Sequence, residues 1–164
     1  MSSPSAARTV VLRRFAAAFT DVLLALVVGL AAYALVPAAK VNAFGAGLLV
    51  GCVYLLLRDA LPYKDRGARS IGKRAFGVRP VRADGHPVDV RTSLRRNLPL
   101  AALFIGEGFL YLVSGYVGLP FAEPVEWALR ALLLAEAVLV AVDPASRRLG
   151  DRWADTLVVE ARYL

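Results

Sequence analysis

Three carboxylates sit where a lipid-facing chain would not tolerate them bare. Asp21, Glu107 and Glu136 each fall inside a long apolar run. A charge at the centre of a membrane helix costs roughly 2.5–3.5 kcal/mol on insertion scales, so such residues face protein or water and often mark function. Two chemistries follow. The carboxylates could line a polar path that binds a cation or exchanges protons, since burial raises a carboxyl pKa towards neutrality. They could instead tie helices together through buried ion pairs, or through hydrogen bonds to Arg, Asn97 or Tyr. Residue types alone leave both open.

Spacing sharpens the first candidate. Arg14 precedes Asp21 by seven residues, close to two helical turns. The two side chains share a face, with Asp21 about 10 Å deeper. Glu107, Tyr111 and Ser114 form a second polar stripe on one helix face. Glu126 and Arg130 lie one turn apart and can pair, whereas Arg130 and Glu136 point about 120° apart. Asp21, Glu107, Glu136 and Tyr111 are therefore the candidates for an ion or proton pathway.

Enzyme signatures do not appear. His86, the only histidine, follows Asp84-Gly85 in a turn and has no cysteine or second histidine to complete a metal site. There is no nucleophile elbow, phosphate loop or metalloprotease helix. No catalytic activity, metal or cofactor is expected. The single cysteine, Cys52, lies in an apolar run and reads as a small core residue.

The elements that must carry these residues are membrane helices. The chain has 164 residues, 58% of them hydrophobic, with mean hydropathy +0.57 and net charge +7. A basic soluble protein would suggest nucleic acid. Here the charges cluster between apolar runs, the pattern of cytoplasmic loops touching anionic headgroups, so no nucleic-acid partner is expected. We read one all-α domain over residues 1–164, a four-helix transmembrane bundle with spans at about 13–36, 41–61, 96–119 and 124–142. The first span reads as uncleaved. Residues 62–96 hold ten basic side chains, and the two other connections are poor in them. Both termini, the loop 62–95 and the tail 143–164 should then be cytoplasmic, in the inner membrane of a bacterium. In the loop, Ser70 can cap a short interfacial helix over 72–76. Asp84-Gly85, between 78–81 and 87–90, suggests a small hairpin. Gly47 and Gly51 permit close helix approach, within the chain or between protomers.

Four segments resemble the RDD family of small multi-pass membrane proteins. They are Arg13-Arg14-Phe15 through Asp21; Gly72-Lys73-Arg74 with Gly77, Val81 and Asp84-Gly85-His86-Pro87; Arg96-Asn97; and Gly150-Asp151 with Ala154, Thr156 and Val158. The resemblance implies a helical membrane domain whose signature residues are Arg14, Asp21 and Asp151. It also implies a transporter of unspecified ligand. Pro80 departs from the family pattern, and Glu107 and Glu136 are not part of it. Asp151 lies among Arg147, Arg148 and Arg152, and Trp153 can anchor at the interface. The tail should fold back so that Arg14, Asp151, Arg147 and Arg148 form a charge network. Two functions remain open: a small transporter, cation- or proton-coupled through Asp21, or a non-transporting scaffold for other membrane proteins. Four helices are few for alternating access and no inverted repeat is evident, so transport would favour a homo-oligomer.

Overall fold

Most of the described chain is helical because long apolar runs are punctuated by residues that cap. The structure, a computed structural model, describes residues 4–35, 42–61, 69–114 and 122–161. The elements run α1 (Pro4–Leu35), α2 (Ala43–Leu57), α3 (Ile71–Ala75), β1 (Val78–Arg82), α4 (Val90–Ser114), α5 (Ala122–Val142), α6 (Leu149–Trp153) and β2 (Thr156–Glu160). The Asn42 side chain accepts from Gly45 N at 3.1 Å and opens α2. Ser70 Oγ accepts from Lys73 N at 3.3 Å and opens α3. The Asp89 carboxylate accepts from Thr92 N at 2.7 Å, which starts α4 at Val90 rather than at residue 96. The expected turn at Lys40 and the expected end of the third span at 119 lie outside the described residues.

Two helices, Val10–Leu35 and Val90–Val113, are long and apolar enough to cross a bilayer. α2 is apolar but has 15 residues, about 22 Å against a hydrocarbon core of about 30 Å. α5 has 21 residues but carries Glu123, Glu126, Arg130 and Glu136. The long helices pack in a row, α1 on α2, α2 on α4 and α4 on α5. Small residues set the spacing. A Cβ at Gly47 would stand 2.6 Å from the Gly29 carbonyl oxygen, and one at Gly51 would stand 2.5 Å from that of Ala25. The glycine run of α2 therefore seats α1 within the chain. Ala25, Cys52, Leu55, Ala101 and Phe104 fill the core between α1, α2 and α4.

The hairpin expected within 78–90 does not form. β1 instead pairs antiparallel with β2 of the tail, with Pro80 opposite Val158 at the centre and Val78 opposite Glu160. The segment after Asp84-Gly85 contains Pro87, which lacks a donor. The tail supplies an uninterrupted alternation, Thr156 to Glu160, that buries Val158 beside Val78 and Ala17. The fold is thus helical with one two-stranded sheet, not purely α.

This sheet exposes a repeat that the sequence hides. A five-residue helix, two connecting residues and a five-residue strand occur twice, as α3–β1 and α6–β2. Each connection ends on a residue with positive φ, Gly77 at 63° and Asp155 at 48°. Each short helix has a glycine at its second position jammed on a backbone carbonyl: Gly72 on Ala17 of α1, and Gly150 on Arg96 of α4. The strand register is symmetric about Pro80 and Val158. The element order therefore repeats, as α1-α2-α3-β1 and α4-α5-α6-β2. A two-fold relating them would map the packed α2–α4 interface onto an α5–α1 interface. There the helices part around a cavity of about 260 Å³.

Candidate functional site

One end of the bundle holds a buried lattice of charge. Arg14 and Asp21 on α1, Arg58 and Asp59 just past α2, Ser70 and Lys73 at α3, Arg96 and Asn97 on α4, and Arg148 and Asp151 at α6 are all buried. α3 and α6 lie across the helix ends and deliver the last members of this set.

Asp21 is fully buried and saturated. Its Oδ2 accepts from Ser70 Oγ at 2.6 Å and Arg58 Nη1 at 3.2 Å. Its Oδ1 accepts from Gly72 N at 2.9 Å and Tyr54 Oη at 3.2 Å. The carboxylate therefore stands at the N-terminus of α3 and fastens it to α1 and α2. Asp59 receives Lys73 Nζ at 2.5 Å and Asn97 Nδ2 at 3.2 Å, and pairs with Arg96 at 3.4 Å. Asn97 Oδ1 gathers Arg58 Nη2 at 3.0 Å and Arg148 Nη2 at 2.8 Å, joining the two halves of the chain.

Asp151 is the second hub. It pairs with the Arg14 guanidinium, accepts from Arg96 Nε at 2.7 Å, and lies 3.5 Å from Arg148 Nε. It also takes Arg148 N at 3.3 Å. Burial alone would raise its pKa, but Arg96, Arg148 and Arg14 together outweigh that and hold it well below the ordinary carboxylate range. Arg147, expected in this network, is not there. It turns to Asp143, with Nε at 3.9 Å, because the turn after α5 places that carboxylate on its own backbone N–H at 2.9 Å.

The pathway candidates separate. Glu136 belongs to the charged end: it accepts from Gly150 N at 3.0 Å and lies 3.7 Å from Arg148, while its second oxygen has no hydrogen bond. Glu107 is half-buried away from the lattice. Tyr111 is 42% exposed and stacks edge-on against Phe44 at 4.9 Å. Arg130 and Glu126 pair at 3.0 Å on the surface. No group of three His, Cys, Asp or Glu among the described residues is placed to hold a metal. Arg58, Asp59, Lys73 and Arg96 were not expected in the site, whereas Asn97 was, as a hydrogen-bond partner of a carboxylate. The available signal was position: Arg58 and Asp59 directly follow α2, Lys73 lies in the first turn of α3 and Arg96 in the second turn of α4.

The cavity between α1 and α5 opens beside this lattice. Arg14, Arg58, Lys73, Arg96 and Arg148 contribute to its lining, and Glu136 is the one carboxylate there. Phe15, Phe19 and Val22 of α1 face Leu133 and Val140 of α5 across it. It is cationic at its base and apolar on its flanks.

Lys73 gives this site a pH signature. Burial, with Arg58 and Arg96 nearby, pushes its ammonium down to about 7 despite Asp59. The unfolded chain keeps the lysine proton to about 10.4. Between those values the unfolded state binds the extra proton, so folding stability should rise with pH from about 7 to 10. Detergent denaturation across that range should show the rise in wild type and a flatter profile in Lys73→Gln. A wild-type stability that falls over the same window would remove this assignment.

The sequence model of the RDD family matches residues 8–155, most of the chain and every element but β2. Among curated proteins and among solved structures nothing matches.

Proposed function

The chain belongs to the RDD family, and we propose that it is a membrane transporter that takes its ligand in the cleft between α1 and α5. One observation carries this reading: the cavity of about 260 Å³ where the repeat's second packed interface would lie, with cationic side chains at its base. Ligand sites favour the junction of repeats. The four long helices span the bilayer in this reading, with the charged end and both termini on the cytoplasmic side of a bacterial inner membrane. Saturated by four donors, Asp21 acts as a latch. Any proton coupling runs through Glu136 and Lys73, which line the cleft.

Filling the cleft tests this. Ala137 lines the cavity and is half-buried, so Ala137→Phe should occupy space without removing any charge pair. In proteoliposomes, uptake of whichever solute wild type carries should fall at least tenfold in Ala137→Phe, at equal folded protein. Undiminished uptake would place the pathway elsewhere. If wild type carries nothing, the reading passes to the scaffold. Cysteines placed at His86 and Glu123, both exposed, in a Cys52→Ala background should label from opposite sides of the membrane. Labelling from the same side would overturn the topology.

A further inference from the structure

We propose that the ligand of the α1–α5 cleft is an anionic phospholipid, its phosphate seated on the buried guanidiniums and its acyl chains leaving sideways between α1 and α5. This rests on the cleft being the ligand site and names what it takes.

Charge comes first. The buried lattice holds five cations, Arg14, Arg58, Lys73, Arg96 and Arg148, against four carboxylates, Asp21, Asp59, Glu136 and Asp151. Each cation has a carboxylate within 4 Å, but with Lys73 protonated the set still carries one net positive charge, and a phosphodiester carries one negative charge. Buried charge is costly unless paired, so the site favours an anion over a neutral or cationic ligand. Arg96 Nη1 is buried and makes no hydrogen bond, although it lies 3.4 Å from Asp59. A guanidinium suits phosphate because its planar fork meets two oxygens at once.

Shape comes second. About 260 Å³ is below the roughly 300–1,000 Å³ of pockets that enclose a drug-sized ligand. It fits a headgroup and the first part of a chain, not a whole lipid. The rest must lie outside, and the flanks provide for that. Phe15 and Phe19 are 40% and 64% exposed along α1, while Leu133 and Val140 form the facing wall on α5. A free inorganic anion would leave these flanks unused.

Supply comes third. In the bilayer orientation proposed above, the slit lies at headgroup depth and faces the anionic lipid of its own leaflet, and basic pockets between membrane helices hold such headgroups. The repeat identifies the interface at which this gap lies. The other interface of the pair, α2 on α4, is closed by Gly45 and Gly108, where a Cβ on Gly45 would stand 2.7 Å from the Gly108 carbonyl oxygen. The α5–α1 counterpart leaves a cavity with charge beneath it.

The test is lipid retention by purified full-length protein, read by native mass spectrometry after exchange into equal phosphatidylglycerol and phosphatidylcholine of matched chains. Wild type should retain one phosphatidylglycerol with at least tenfold preference. Ala137→Phe, and separately Ala18→Phe on the opposite wall, should lose that preference while staying folded by circular dichroism and gel filtration. Equal retention of the two lipids would overturn the proposal. So would a preference that survives both fillings, since the lipid would then be annular. Glycerol phosphate displacing phosphatidylglycerol at equal concentration would also overturn it, because the chains would contribute nothing. Each of these results leaves the transport reading standing as long as Ala137→Phe still blocks uptake. Loss of that block alone would instead fail the site itself.

Discussion

Asp151→Asn should cost about 3–5 kcal/mol of folding stability in a detergent denaturation series, the penalty for leaving a buried ion without its partner. The effect is large because Asp151 is fully buried and serves three guanidiniums at once, Arg14, Arg96 and Arg148. An asparagine keeps one acceptor oxygen but presents an amide to donors that cannot accept. The three arginines come from α1, α4 and the start of α6, so the loss should loosen the closure between the two halves of the chain. Arg14→Met should also destabilise, and the double variant should cost less than the two singles together by about 0.5–3 kcal/mol. Strict additivity would mean that the two side chains do not interact in the folded protein. Circular dichroism at low denaturant should still show helix in Asp151→Asn, since α1 and α2 keep their own contacts through Gly47 and Gly51.

The long helices were legible because apolar length is a direct signal. Arg14 and Asp151 were legible because a basic, aromatic-anchored tail has only one place to go. The sheet was not. Asp84-Gly85 pointed to a local hairpin, and the partner of β1 lies more than seventy residues away in the tail. No local pattern announces a pairing of that range, and only the symmetry of the two short helices makes it intelligible. The repeat itself was hidden because its copies differ where they matter. Lys73 and Asp151 occupy matching helix positions with opposite charge, so a search for identity finds little. The cleft was out of reach for a related reason. It is a cavity lined by two helices distant in sequence, and sequence gives candidate contacts, not gaps.

The role of Asp21 shows how packing decides between chemistries that residue type leaves equal. A carboxylate in an apolar run can titrate or it can hold. Four donors surround this one, from Tyr54, Arg58, Ser70 and the Gly72 backbone, and none of its surface reaches solvent. A transported cation would have to displace Arg58 and dismantle the cap of α3. Asp21→Asn should therefore lower stability by about 3–5 kcal/mol, since Arg58 would lose one of its buried counter-charges and one amide hydrogen would face a donor. Wild-type and variant proteoliposomes, corrected for folded protein by gel filtration, should then carry solute equally, with the same pH profile. The added replacement Arg58→Gln should restore part of the lost stability, because it removes the orphaned cation. The opposite outcome is specific. If Asp21→Asn stays as stable as wild type while its uptake vanishes or loses its pH dependence, Asp21 titrates during transport. The path would then run through the latch rather than through the cleft beside it.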